Sequence, residues 1–240
     1  MTATGNEQLQ PGARTRWHVM PDSAVLTRAV TRHILATAAQ AIAGHGEFRV
    51  VLAGGSTPAA VYRQLVDAAA DWSHWQIYFG DERCLPADHP DRNSVMVRRC
   101  WLDRVPVPAG NVHAIPAENG AEMAARAYTP LVAAALPFDL VLLGMGEDGH
   151  TASLFPGHVH EPGALVHAVQ NAPKPPPQRV SLGVTALNSA AEVLVLVSGT
   201  GKHAAVQAWK GGEQLPVACI QGQQGVDVYL DEGAETGVRA

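Results

Sequence analysis

The sequence predicts a single α/β domain built on a doubly wound, mainly parallel sheet with helices on both faces, the Rossmann-like arrangement. Three observations predict it. Short apolar runs suited to buried strands alternate with stretches that carry apolar residues at helical spacing. Glycines and polar residues follow several of these runs directly. At 240 residues, of which 47% are hydrophobic and 16% charged, the chain is also long and apolar enough to bury one large core.

Five stretches carry the helical pattern. Behind a polar N-terminal tail over 1–16, Asp22 and Ser23 offer an N-cap for a helix whose apolar stripe runs from Leu26 to Ile42. The other predicted helices follow Pro58, Asn93, Ala121 and Lys202. For the helix over 121–136, we expect the inward face to consist of Met123, Ala127, Leu131 and Ala134.

The strands are predicted where short apolar runs stand between these helices and their turns. They are 48–53, 75–79, 112–115, 138–143, 165–169, 179–184, 192–197 and 226–230. The prolines of 173–177 exclude a helix and cannot donate to a strand ladder, so this segment is predicted to be an extended loop. With a C-terminal tail over 234–240, the domain is predicted to span 17–233.

Composition excludes several classes of protein. The net charge of −5 gives no electrostatic basis for binding nucleic acid. The N-terminus has no apolar signal segment, and every apolar run is far shorter than the roughly 20 residues of a membrane span. The three cysteines, Cys84, Cys100 and Cys219, are odd in number and widely spaced, which favours free thiols in the cytoplasm.

Two glycine turns after strands have the character of anion sites. In Gly54-Gly55-Ser56-Thr57-Pro58, Thr57 is placed to cap a helix whose free amides attract an anion, although an ordinary capped turn fits equally well. The second turn, 198–202, ends in a lysine but lacks the Walker A spacing. It therefore favours a single phosphate over a nucleotide triphosphate, with a solvated surface lysine as the alternative.

A charged cluster follows the strand over 75–79. Arg83, beside Asp81 and Glu82, is suited to bidentate binding of a phosphate or carboxylate, with an exposed salt-bridged turn as the alternative. Next to it, Cys84 is either a nucleophile with a lowered pKa or an incidental thiol.

The loop after the strand over 138–143 matches the dinucleotide fingerprint G-x-G-x-x-G at 144–149. The surroundings argue against a nicotinamide or flavin. Glu147 and Asp148 would set negative charge beside a pyrophosphate, and Pro156 with Gly157 cuts short any following helix.

His150 is the candidate for acid–base chemistry, because imidazole exchanges protons near neutral pH. Asp148 or Glu147 is placed to orient it, and a structural or solvated histidine is the alternative. His158 and His160 could be metal ligands, but no cysteine, histidine or carboxylate stands at a spacing that would complete a metal site. We therefore predict neither a metal nor another cofactor.

Together four segments resemble the 6-phosphogluconolactonase family, itself similar to the glucosamine-6-phosphate deaminases. They are VLAGGSTP (51–58), GDERCLPADHPDRN (80–93), LLGMGEDGHTASLFPG (142–157) and RVSLGVTALNSAAEVLVLVSGTGK (179–202). In the deaminases Asp-Gly-His leads into Phe-Asn-Glu-Pro, whereas here Asp148-Gly149-His150 continues as Thr-Ala-Ser-Leu-Phe-Pro, so the lactonase is preferred. Arg92 departs from the serine that commonly precedes the asparagine, which leaves the role of Asn93 open.

The resemblance implies hydrolysis of 6-phospho-D-glucono-1,5-lactone in the oxidative branch of the pentose phosphate pathway, with no cofactor. It implies that His150 is the base and that Asp148 supports it. It implies substrate contacts from two sets of residues, Gly54, Gly55, Ser56, Thr57, Arg179 and Lys202 at the phosphate, and Asp81, Arg83 and Asn93 at the sugar. The oligomeric state is left open, with a monomer favoured.

Two alternatives remain. A deaminase or isomerase on the same framework would use Asp81 as its base. A sugar-phosphate sensor without catalytic activity would need only the anion loops; such sensors usually carry a DNA-binding module, and no basic helix-turn-helix segment is evident.

Overall fold

The computed structural model describes residues 15–158 and 161–238. Within these ranges the strands are β1 (Thr15–Met20), β2 (Phe48–Leu52), β3 (Trp75–Phe79), β4 (Asp81–Arg83), β5 (Val112–His113), β6 (Leu140–Gly144), β7 (Val166–Val169), β8 (Arg179–Leu182), β9 (Glu192–Val197) and β10 (Val226–Asp231). The α-helices are α1 (Ser23–His45), α2 (Ser56–Leu65), α3 (Asn93–Cys100), α4 (Ala121–Ala135), α5 (Val184–Asn188), α6 (His203–Lys210) and α7 (Glu232–Thr236). None of these helices has both the length and the apolarity to cross a bilayer.

The main sheet has seven strands in the order β1-β10-β9-β6-β2-β3-β5, and every neighbouring pair is parallel. This arrangement confirms the predicted mainly parallel α/β fold. The inner strands β9, β6, β2 and β3 are mostly apolar and buried, as parallel strands between helix layers require.

A second, three-stranded antiparallel sheet of order β4-β8-β7 was not predicted. Its strand β4 is the charged Asp81–Arg83 segment, which hydrophobic patterning assigns to a loop. Pairing with β8 sets Arg83 directly opposite Arg179. The small sheet thus brings two cationic side chains to one place.

The sequence patterns also missed β1, α5 and α7. β1 begins at Thr15, inside the stretch assigned to the tail, and its exposed and half-buried residues alternate too weakly to signal a strand. It is held by β10, where Asp227 accepts hydrogen bonds from the Arg16 side chain, with Arg16 Nε at 2.8 Å.

The predicted inward face of α4 is wrong by about one residue along the helix. The side chains of Met123 and Leu131 are 67% and 45% exposed, whereas Tyr128 and Val132 are fully buried. The Tyr128 hydroxyl accepts a 2.9 Å hydrogen bond from the Phe79 amide at the end of β3, a contact available only from the buried face. The residues found on the exposed face are those predicted to point inward, Met123, Ala127, Leu131 and Ala134.

Four neighbouring strands of the main sheet, β9, β6, β2 and β3, run in the same direction and end at the same edge. The loops that follow them contain most of the polar residues singled out in the sequence. These loops meet where an open parallel sheet usually carries its binding site.

Candidate active site

A cavity of about 190 Å³ lies at this edge. Of the predicted site residues, those that line it are Gly54, Gly55, Asp81, Arg83, Asn93, His150, Arg179 and Lys202. Ser56 and Thr57 lie in the first turn of α2 and are not part of its wall, and Asp148 stands behind His150. The cavity also receives Lys174, which was not predicted because its proline-rich loop carries no motif of its own.

His150 and Asp148 form a hydrogen-bonded pair. Asp148 Oδ1 lies 2.5 Å from His150 Nδ1, and 16% of the His150 side chain is exposed. Of the two acids considered in the sequence, Asp148 therefore makes the contact. The pairing favours the tautomer with its proton on Nδ1, which leaves Nε2 as an acceptor.

Burial lowers the pKa of His150 below its ordinary value of 6.5, and the hydrogen bond and charge of Asp148 offset only part of this effect. Burial alone would raise the pKa of Asp148, but its contacts with His150 outweigh burial and lower that pKa. At neutral pH the pair therefore consists of a neutral imidazole and a carboxylate. This is the state that a general base requires.

The glycines of the central loop allow the loop to fold tightly around this pair. A Cβ on Gly146 would stand 2.0 Å from His150 Nδ1 and 2.4 Å from Asp148 Oδ1. Gly149 has φ +76, in the region that favours glycine. The match to the dinucleotide fingerprint thus reflects close packing around a histidine.

The first glycine turn differs from its prediction in one respect. Helix α2 begins at Ser56, and its N-cap is Gly55 with φ 103, so the prediction that Thr57 caps the helix is wrong. The preceding Gly54 approaches Asn93 so closely that a Cβ there would lie 2.0 Å from Asn93 Oδ1. The turn is shaped by backbone contact with Asn93 and not by a side-chain cap.

Asn93 is hydrogen-bonded to Asp81, although arginine and not serine precedes it. Asn93 Nδ2 donates to Asp81 Oδ1 at 2.9 Å, and Ser153 Oγ donates to Asp81 Oδ2 at 2.7 Å. Burial raises the pKa of Asp81, although the Ser153 hydrogen bond and the charge of Arg179 oppose the shift. Arg92 points elsewhere and lies 2.7 Å from Glu118.

Glu82, which the sequence marked only as part of a charged turn, is fully buried at the start of α3. Its carboxylate accepts hydrogen bonds from the amides of Asn93 (2.7 Å) and Ser94 (2.9 Å) and lies 3.4 Å from Arg92 Nε. It therefore caps α3 from β4 and fixes the backbone of Asn93. A cap from 11 residues upstream leaves no local sequence signal.

The second glycine turn, over 198–202, contributes the Lys202 side chain to the cavity, while its Gly199 amide is engaged elsewhere. The Gly199 amide already donates to the Asp231 carboxylate at 3.0 and 3.1 Å. Lys202 extends from this turn into the cavity wall. Burial lowers the pKa of Lys202, Glu147 opposes this shift, and Lys174 adds to it.

The surroundings of Cys84 and of the histidines bear on a nucleophile and on a metal site. Burial raises the pKa of the Cys84 thiol, which favours the incidental thiol over a nucleophile with a lowered pKa. His160 lies outside the described residues. Within 15–158 and 161–238, no three histidine, cysteine or carboxylate side chains are grouped as metal ligands would be.

Comparison with known proteins gives a consistent result. The family model for "Glucosamine-6-phosphate isomerases/6-phosphogluconolactonase" matches residues 21–229. The chain is 38% identical over 238 residues to a 6-phosphogluconolactonase of Mycobacterium tuberculosis, covering 90% of this chain and 95% of the relative.

Solved structures agree with this match. The crystal structure of 6-phosphogluconolactonase from Thermotoga maritima superposes with a TM-score of 0.86 at 28% identity, covering 91% of this chain and 100% of that one. The Trypanosoma brucei 6-phosphogluconolactonase gives 0.82 at 26% identity, covering 95% and 100%. The similarity therefore extends over almost the whole chain in both sequence and fold.

Proposed function

Because the chain belongs to the glucosamine-6-phosphate isomerase/6-phosphogluconolactonase family, we propose that it hydrolyses 6-phosphogluconolactone to 6-phosphogluconate, with His150 as the general base. This reaction opens the lactone in the oxidative branch of the pentose phosphate pathway. The observation that carries the proposal is the Asp148–His150 pair in the wall of a cavity that also contains arginine and lysine side chains.

In the proposed mechanism His150 Nε2 removes a proton from water as the water oxygen attacks the C1 carbonyl. The ring C1–O bond then breaks, and the imidazolium returns a proton to the leaving ring oxygen. Asp148 holds the tautomer and stabilises the imidazolium through Nδ1. Cavity cations bind the phosphate, so that binding energy remote from C1 positions the reacting carbon.

The rest of the site follows the same proposal. Lys202 and Arg179 serve the phosphate together with the turn at Gly54 and Gly55, and Ser56 and Thr57 support that turn from the start of α2. Asp81, Arg83 and Asn93 serve the sugar hydroxyls. No metal or organic cofactor takes part in any step.

A deaminase or isomerase reaction is the alternative activity, with Asp81 as its base. Both Asp81 oxygens already accept hydrogen bonds, from Asn93 and Ser153, which favours a positioning role for this carboxylate. Coupled assays for ammonia release and for aldose–ketose interconversion separate these activities from lactone hydrolysis.

We propose a cytoplasmic enzyme that works as a monomer. The three cysteines are free, in keeping with a reducing compartment. The proposed base, its carboxylate partner and the cavity cations all belong to the same chain, in keeping with a monomer.

The decisive experiment measures proton release from freshly generated 6-phosphogluconolactone by the wild type and by His150→Ala. We expect the substitution to lower kcat by about 10²–10⁴-fold, the usual contribution of a general base. Affinity for 6-phosphogluconate should persist, because the phosphate contacts are unchanged. Full activity in His150→Ala would exclude this residue as the base.

A further inference from the structure

The chain contains three lysines, and their surroundings divide them into two kinds. Lys210 lies away from the cavity and forms a 2.7 Å hydrogen bond to Glu235. Lys174 and Lys202 both line the cavity, and among the described residues neither ammonium group has an ion-pair or hydrogen-bond partner. Two ammonium groups that line one small cavity without a salt bridge are the arrangement expected at an anion site.

The loop that carries Lys174 is held in place by Arg179. Arg179 Nη2 donates to the backbone carbonyls of Lys174 and Pro175, both at 3.0 Å, and its Nε donates to that of Pro176 at 3.2 Å. The guanidinium also lies 5.5 Å from the centre of the Phe155 ring. Arg179 therefore uses its Nε and Nη2 donors to hold the backbone of the Lys174 loop.

The prolines on either side of Lys174 restrict the backbone further. Each proline fixes φ near −65°, so the loop loses little conformational entropy when it presents the lysine. The Lys174 side chain itself is exposed and ends in a mobile ammonium group. This combination gives a preorganised backbone with an adaptable charge at its end.

A sugar phosphate brings roughly −1.5 to −2 charges at pH 7, more than one lysine neutralises. We infer that Lys174 is a second phosphate-binding lysine, which acts together with Lys202, and that Arg179 serves chiefly as the positioning residue for the Lys174 loop. This inference rests on the proposed function and revises one role within it, because Arg179, proposed above as a phosphate ligand, then acts mainly by placing Lys174.

Lys174 also acts on the base. Its positive charge contributes to lowering the pKa of His150, after the larger effects of burial and Asp148. Removing this charge raises the pKa of His150, and the acid limb of kcat/KM then moves to higher pH. A loop residue with a purely structural role would not move this limb.

The test compares Lys174→Met with Lys174→Arg and with Lys210→Met as the matched control. Calorimetric titration with 6-phosphogluconate should show binding weakened by about 10- to 100-fold in Lys174→Met, the loss of one charge-assisted contact. Lys174→Arg should recover most of the affinity, and Lys210→Met should bind like the wild type. Titration with gluconate, which keeps the carboxylate but lacks the phosphate, reports any loss of affinity unrelated to the phosphate.

A double-mutant cycle tests the role of Arg179. If Arg179 acts through the loop, Arg179→Met weakens binding in the wild type but adds little in the Lys174→Met background. Additive losses would overturn the positioning role. Arg179→Lys provides a second variant, and thermal melting confirms that each variant is folded.

The two levels of the proposal fail in different ways. If the wild type hydrolyses the lactone but Lys174→Met binds 6-phosphogluconate like the wild type, this inference is wrong and the proposed function stands. If the wild type releases no protons from the lactone, the proposed function is wrong. In that case titration with inorganic phosphate still shows whether Lys174 belongs to an anion site.

Discussion

Close approach between backbone and side chains explains the glycines of the site. Gly54 lies against Asn93, and Gly146 lies against His150. The sequence predicts that these turns are tight, but it does not show which side chain fills the space where a Cβ would be. That information depends on residues far along the chain, and only the folded structure supplies it.

The glycine contacts give a prediction with an internal control. Gly54→Ala should displace Asn93, since the new methyl would lie 2.0 Å from its Oδ1, and we expect kcat/KM to fall by about 10²-fold. Gly44→Ala, in α1 with nothing within 4 Å of the new Cβ, should raise stability by about 0.5–1 kcal/mol. Urea unfolding and steady-state kinetics measure both; equal activity in the two variants would contradict the steric argument.

Asp148 controls both the orientation and the pKa of His150. Asp148→Asn removes a charge that raises this pKa, so the acid limb of kcat/KM should move to lower pH, opposite to the shift expected for Lys174→Met. The loss of the correct tautomer should lower kcat by about 10²–10⁴-fold. Rate profiles between pH 4.5 and 8 (roughly, spanning the ordinary histidine pKa) check the direction, and a shift to higher pH would show that the electrostatic argument is wrong.

Individual elements were predicted with uneven success, for reasons that lie in their contacts. The helices α1 and α4 and the strands β2, β3 and β9 carry their own periodicity, so their positions follow from sequence. The inward face of α4 does not follow from the sequence. Hydrophobicity favours burial of Met123 and Leu131, whereas the structure buries Tyr128, whose hydroxyl accepts a hydrogen bond from the Phe79 amide.

Helix α3 depends on a cap that it does not itself contain. Glu82→Ala should remove the acceptor of the Asn93 and Ser94 amides and leave the buried Arg92 without this partner. We expect a loss of about 3–5 kcal/mol in the free energy of unfolding, as for other broken buried ion pairs.

The matched control is Glu122→Ala, which removes an exposed carboxylate from the first turn of α4. Its effect should stay within about 0.5 kcal/mol. The two variants are compared by their denaturant midpoints, provided that the dependence of the unfolding free energy on denaturant has the same slope in both. A Glu82→Ala protein as stable as Glu122→Ala would show that the cap is dispensable.

The charge of the whole molecule opposes that of its cavity. The chain carries a net −5, yet among the described residues the cavity wall holds Arg83, Lys174, Arg179 and Lys202 against one lining carboxylate, Asp81, with Asp148 behind His150. The local positive field must therefore attract a phosphorylated substrate against a negative surround. The sequence predicted three of these cations, and it missed Lys174 because a proline-rich loop gives no indication of where its side chains converge.

This separation of charge predicts a dependence on salt. Raising ionic strength from about 0.05 to 0.5 M shortens the screening length to a few ångströms and should increase KM for the phosphorylated lactone. The kcat value should change little, because His150 and Asp148 are in direct contact. Unphosphorylated gluconolactone is the control, and an equal rise in its KM would argue against phosphate attraction.

The order of strands in the sheet constrains how the chain is assembled during synthesis. Among the strands that the structure describes, β1 has β10 as its one neighbour in the main sheet, and the Arg16–Asp227 contact joins residues 211 positions apart. While the ribosome is still making the residues between β1 and β10, the described partner of β1 does not yet exist. At about 5–20 residues per second, it waits on the order of ten seconds or more for its partner. Of the described strands, β1 is thus secured only when β10 has been made.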